Sequence, residues 1–133
     1  MGMDQSIRRT DIDNIHLMDS YEFGMRNEHH INNWFNKNVQ EVQNSLSMEI
    51  TVNTLDLLVK DIYTVMKSFS ESEEYGNSIA QDLFVKNHYS QDFDIDFIEV
   101  FLQDLQGVQN IINQAYADLA RGIDVRLEYY VDW

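Results

Sequence analysis

The chain has 133 residues, with 23 Asp and Glu against 9 Lys and Arg, four His, no Cys and no Pro. The formal charge is −14 at pH 7 and the isoelectric point is near 4.3. A polyanion of this size does not bind nucleic acid or an anionic membrane directly, because both repel it. A hydrophobic content of 44% with 12% aromatics is too high for a disordered acidic tail and suits one globular domain over 1–133.

No 18-residue apolar run is present, so no membrane-spanning helix is expected. The start, Met1 to Arg9, lacks the apolar centre of a signal peptide. Gly2 with Ser6 matches the loose myristoylation pattern, but the basic patch that would support a single acyl chain is missing. The expected location is cytoplasmic. Without Cys there are no disulfides, thiolate metal sites or Cys nucleophile. Without Pro, turns must rest on Gly, Asn, Ser and Asp.

Met3 to Arg9 alternates loosely and predicts a first strand, and residues 10–22 read as loop. From Arg26 to Asn44 the period becomes helical: Ile31, Trp34, Phe35, Val39 and Val42 share one arc. Asn38 falls inside that arc, so its amide needs a hydrogen-bond partner. Ser47 to Val52 alternates Met48, Ile50 and Val52 against Glu49 and Thr51, which predicts a half-buried strand. A second helix follows over Leu55 to Phe69, capped by Asn53 or Thr54. The acidic segment Ser70 to Ser78 reads as a solvated loop, and Leu83-Phe84-Val85 is too brief to assign.

A third helix spans Asp94 to Arg121, with Ile98, Phe101, Leu102, Leu105, Val108, Ile112, Tyr116 and Leu119 in one stripe. Asp92 and Asp94 suit its positive N-terminal end, and Arg121 with Gly122 its close. Gly107 in mid-helix marks a kink or a close packing contact. Val125 to Val131 alternates and predicts a last strand. The expected architecture is α+β and helix-rich, with about three amphipathic helices packed on a small antiparallel sheet.

Motifs for chemistry are sparse. Asp92-Phe93-Asp94-Ile95-Asp96 resembles the opening of a calcium loop. Phe97 and Gln103 stand where that loop needs Gly and a bidentate Glu, so the acids read as helix caps. His29 and His30 are adjacent rather than i,i+4, which points their rings apart, and both are expected at the surface. There is no nucleophile elbow and no phosphate loop. No catalytic, cofactor or metal residue is assigned and no enzyme is indicated.

The charge is unevenly placed. From Ser68 to Ala120 there are ten carboxylates against one base, Lys86, a net of −9. One reading is solubility; the other is complementarity to a basic groove that otherwise holds nucleic acid. The candidate contact residues are Glu71, Glu73, Glu74, Asp92, Asp94, Asp96, Glu99 and Asp104.

Arg26, then Ile31-x-x-Trp34-Phe35, then Asn38-Val39-Gln40, together with Met1-Gly2-Met3-Asp4 and the ending Tyr129-Tyr130-Val131-Asp132-Trp133, resemble the signature of a family of small bacteriophage and prophage proteins. Leu83-Phe84-Val85 and the helix from Asp94 fit the order of that family's later segments. The family's Tyr-Trp before Arg26 is Gly24-Met25 here, and its His is Asn32. The resemblance brings no activity with it. It implies a phage-encoded protein in the cytoplasm of an infected bacterium.

The leading expectation is therefore an acidic interaction protein, not an enzyme, that binds a host protein with a basic surface. Its expected role is to inhibit a nucleic-acid-handling defence system of restriction or CRISPR type by presenting a DNA-like negative surface. Two alternatives stand beside it: a small structural or assembly module, as monomer or homo-oligomer, whose acidity serves solubility, and a carboxylate metal-dependent enzyme.

Overall fold

The computed structural model describes residues 2–10, 21–85 and 92–133. Most of the loop expected over 10–22, and Lys86, lie outside them. The elements run β1 (Asp4–Thr10), β2 (Glu22–Arg26), α1 (His29–Asn38), β3 (Ser47–Ile50), α2 (Val52–Glu71), α3 (Glu73–Phe84), α4 (Phe97–Ala120) and β4 (Arg126–Asp132). The fold is α+β and helix-rich. The sheet order is β2-β1-β4-β3 and every pairing is antiparallel.

Strand alternation determines what the helices cover. Register places Met25, Gln5 and Val131 in one inward row, Phe23, Ile7, Tyr129 and Met48 in the next, and Arg9, Leu127 and Ile50 in a third. Buried residues of the sheet and all four helices form one hydrophobic cluster. Phe35 of α1 stacks on Tyr129 with centroids 4.0 Å apart. The Tyr129 hydroxyl donates to Gln5 Oε1 and, at 3.3 Å, to Asn32 Oδ1, so the polar groups buried beneath the stack satisfy one another. Trp34 is fully buried and donates its indole N–H to Asp61 of α2 at 2.8 Å.

Four differences from the sequence reading have local causes. Glu22–Arg26 is a strand despite Gly24, because pairing with β1 supplies the backbone partners. The first helix ends at Asn38, leaving Val39 outside it and exposed. Asn38 is exposed as well, and its amide finds its partner locally by donating to the Trp34 carbonyl at 2.9 Å. The segment read as a solvated acidic loop is mostly α3: Ser72 accepts from the Tyr75 N–H, and Glu73 and Glu74 occupy the first turn, where carboxylates favour a helix start. The α2 cap is Thr51, which accepts from the Thr54 N–H at 3.1 Å, rather than Asn53 or Thr54.

Gly107 proves to be a packing glycine. A Cβ built there falls 2.3 Å from the Phe23 ring, so α4 approaches β2 only because this position lacks a side chain. Gly107→Ala should therefore destabilise the protein by about 1 kcal/mol or more, although alanine is the better helix former. Urea unfolding measures this, and a stabilised variant would contradict the close approach. Gly122 ends α4 at φ +77, the left-handed geometry that glycine adopts without strain.

Candidate functional site

Two features stand out, one on the surface and one buried. The surface feature is acidic. Ser72 alone separates α2 from α3 and caps the latter, while the chain leading into α4 folds back on the start of α3. There the Phe93 N–H donates to Asn77 Oδ1 at 2.8 Å and the Ile95 N–H to Glu73 Oε2 at 3.1 Å. These bonds bring Glu71, Glu73, Glu74, Asp92, Asp94, Asp96 and Glu99 to one end of the molecule, and all seven are exposed. Of the acids expected as helix caps, Asp94 accepts from the Phe97 N–H at 3.2 Å, whereas Asp96, at the N-cap position, makes no side-chain cap bond. Among the described residues from Ser68 to Ala120 there is no Lys or Arg.

The eighth candidate, Asp104, does not belong to that surface. It is 1% exposed and faces inward from the second turn of α4, because Phe101, Asp104, Leu105 and Val108 form one buried stripe. Leu102, Tyr116 and Leu119, read as part of the apolar stripe, are exposed at 40%, 50% and 47%. The inward face is thus rotated away from them and carries two carboxylates, Asp104 and Asp118.

The buried feature assembles around Asp104. His30, expected at the surface, is also 1% exposed. It lies one turn before Trp34 on the inner face of α1, and its Nε2 is 2.7 Å from Asp104 Oδ2. Phe97 and Phe101 of α4 pack edge-on to the imidazole at 5.0 and 5.2 Å between centroids, and Phe84 and Phe93 complete the shell at 6.0 and 6.3 Å. Glu28, immediately before α1, brings a third group from the partly exposed side. One ligating atom from each of Glu28, His30 and Asp104 lies within 4.8 Å of the others. Among the described residues, His30 Nδ1 and Asp104 Oδ1 are buried without a hydrogen-bond partner.

This setting disfavours charge. Burial, then the adjacent Asp104 carboxyl, push Glu28 up to about 8. Burial pushes Asp104 up to about 7 and His30 down to about 4. Near neutral pH the cluster is a neutral imidazole beside a Glu28 carboxyl that keeps its proton and an Asp104 carboxyl in mid-titration, as expected where apolar rings replace water.

Asp118 differs. Its Oδ2 meets Arg9 Nη1 of β1 at 3.1 Å and accepts from the Tyr21 hydroxyl at 3.2 Å, while Oδ1 pairs with Arg121. It is a structural tie between α4 and the sheet. The exposed acids of Asp92-Phe93-Asp94-Ile95-Asp96 alternate with apolar residues, of which Phe93 is buried in the His30 shell.

Comparison with protein-family models, curated proteins and solved structures finds no match to this chain. No helix among the described residues is long and apolar enough to cross a membrane.

Proposed function

We propose that the chain is a phage-type acidic interaction protein whose α3–α4 end binds a basic surface on a host protein. In this reading it inhibits a nucleic-acid-handling defence system by occupying the groove meant for DNA or RNA. The observation that carries the reading is the gathering of seven exposed carboxylates at the paired starts of α3 and α4, with no Lys or Arg between Ser68 and Ala120 among the described residues. Solubility alone needs dispersed charge, whereas a one-signed patch creates a field that steers a cationic partner. The resemblance to small phage proteins points the same way.

The test is binding by the full chain and a charge-reversed variant, Glu73→Lys/Asp96→Lys/Glu99→Lys. Host proteins retained from a bacterial lysate at low salt should elute on raising salt, and the variant should hold them roughly tenfold more weakly. Retention indifferent to salt and to reversal would remove the electrostatic reading.

A second reading, an assembly module, is favoured by one observation: Leu102, Tyr116 and Leu119 stand exposed on α4. Sedimentation equilibrium separates the two. A tight homo-oligomer that masks Glu99 would favour assembly, and a monomer with the acidic end free would favour the interaction protein.

A further inference from the structure

The buried trio of Glu28, His30 and Asp104 is unlike the rest of the core. Elsewhere, among the described residues, Gln5 and Asn32 pair with Tyr129 and Asp118 with Arg9 and Tyr21, and a single buried side-chain atom, Arg9 Nε, is without a partner. Here three potential ligands converge from α1, the residue before it and α4; Glu28 and Asp104 hydrogen-bond each other, and among the described residues His30 Nδ1 and Asp104 Oδ1 lack any other partner at 1% residue exposure. An apolar core gains nothing from unpaired polar atoms, which typically cost more than a hydrogen bond is worth.

We infer that Glu28, His30 and Asp104 form a binding site for a divalent transition-metal ion such as Zn²⁺. One imidazole and two carboxylates are a borderline-to-hard donor set, suited to zinc, cobalt, manganese or iron(II) rather than to calcium, which takes six to eight oxygens. Two carboxylates and a divalent cation are together neutral, which suits the shell of Phe84, Phe93, Phe97 and Phe101. The trio reaches a tetrahedral geometry by movements of up to about an ångström. Ligands about 2.0–2.2 Å from a tetrahedral ion stand roughly 3.3–3.5 Å apart, so the 2.7 Å His30–Asp104 contact opens by roughly 0.6–0.8 Å and the wider separations, up to 4.8 Å, close on the ion. Glu28, on the partly exposed side, supplies the adjustable third ligand and the route of entry. Tethering α1 to α4, the ion would brace the helix whose first turn carries Glu99. This site stands independently of the proposed partner surface.

The experiment uses the full chain, stripped with EDTA and desalted, then titrated with Zn²⁺ and, for its visible ligand-field absorption, Co²⁺. The expected result is one equivalent bound per chain and a rise in melting temperature of roughly 5 °C or more at saturating metal. Asp104→Asn, nearly isosteric, and Glu28→Gln, at a partly exposed position, should each weaken binding at least about tenfold, with helical circular dichroism retained. Glu41→Gln, at an exposed position outside both the trio and the acidic end, should leave binding unchanged. If Asp104→Asn fails to fold, Glu28→Gln decides alone. Absence of stoichiometric binding, or binding kept at full strength in Glu28→Gln, would overturn the assignment.

Discussion

Replacing Asp118 by alanine is expected to cost about 3–5 kcal/mol of stability, a large share of what a domain of this size possesses. The carboxylate is nearly inaccessible and serves three partners at once: Arg9 and Tyr21 from the sheet side and Arg121 from its own helix. Arg9 is the decisive one. Strand alternation turns it inward, in register with Leu127, so truncating Asp118 leaves a guanidinium buried without its counter-charge. Its Nε already has no partner among the described residues. Arg121 is largely exposed and simply returns to water. Urea unfolding of Asp118→Ala beside Glu99→Ala, an exposed acid whose loss should stay within about 0.5 kcal/mol, measures the difference. A cost below about 1 kcal/mol for Asp118→Ala would contradict the assigned tie.

The metal-free protein is expected to lose stability as the pH rises from 6.5 to 8. The carboxyls of Glu28 and Asp104, raised to about 8 and about 7, hold protons in the folded state that the unfolded chain has already released. The folded state binds more protons, so its advantage, full at low pH, drains away as each carboxyl ionises. His30 works in the opposite sense. Lowered to about 4, it adds stability that is complete above its unfolded value near 6.5 and is lost as the pH falls toward 4. At the lower end of the window it offsets a small part of the loss, by a few tenths of a kcal/mol at about pH 6.5, and it is silent by pH 8. With Glu28 discounted for its partial exposure, the loss over that window is about 1–2 kcal/mol. Asp104→Asn should lessen the slope, because it abolishes one titration and removes the carboxyl beside Glu28, while the burial that raises Glu28 most is left in place. An equal slope in the wild type and Asp104→Asn would place the pH dependence elsewhere.

The elements that the sequence disclosed are those with uninterrupted patterns. Met48 and Ile50 against Glu49 identify β3, and Leu55, Leu58, Ile62 and Val65 identify α2. Gly107 and Gly122 announced a close contact and a helix end. The hidden elements depend on tertiary partners: β2 carries a glycine and gains its backbone bonds from β1, and α3 begins with acids that suit a helix start as well as a loop. The acidic surface was legible because charge counts survive errors of secondary structure, which is why seven of the eight candidate residues lie on it. Asp104 falls outside the acidic surface because the stripe through Leu102, Tyr116 and Leu119 is not the buried face of α4. A stripe at 101, 104, 105, 108, 111, 112, 115 and 118 is as regular, and it is interrupted only by Asp104 and Asp118. A carboxylate inside an apolar stripe is itself the signal of a buried polar site. His30 carried the corresponding signal, four residues before Trp34 on the same face of α1.

The proposed occupation of a nucleic-acid-binding surface by the acidic end is tested most directly by competition. A DNA- or RNA-handling host protein recovered with the chain, mixed with fluorescent duplex at low salt, should release that duplex as about one equivalent of the chain is added. The Glu73→Lys/Asp96→Lys/Glu99→Lys variant should fail to displace it. A ternary complex in which the chain and the duplex are bound together, or displacement as efficient by the variant as by the wild type, would contradict the account.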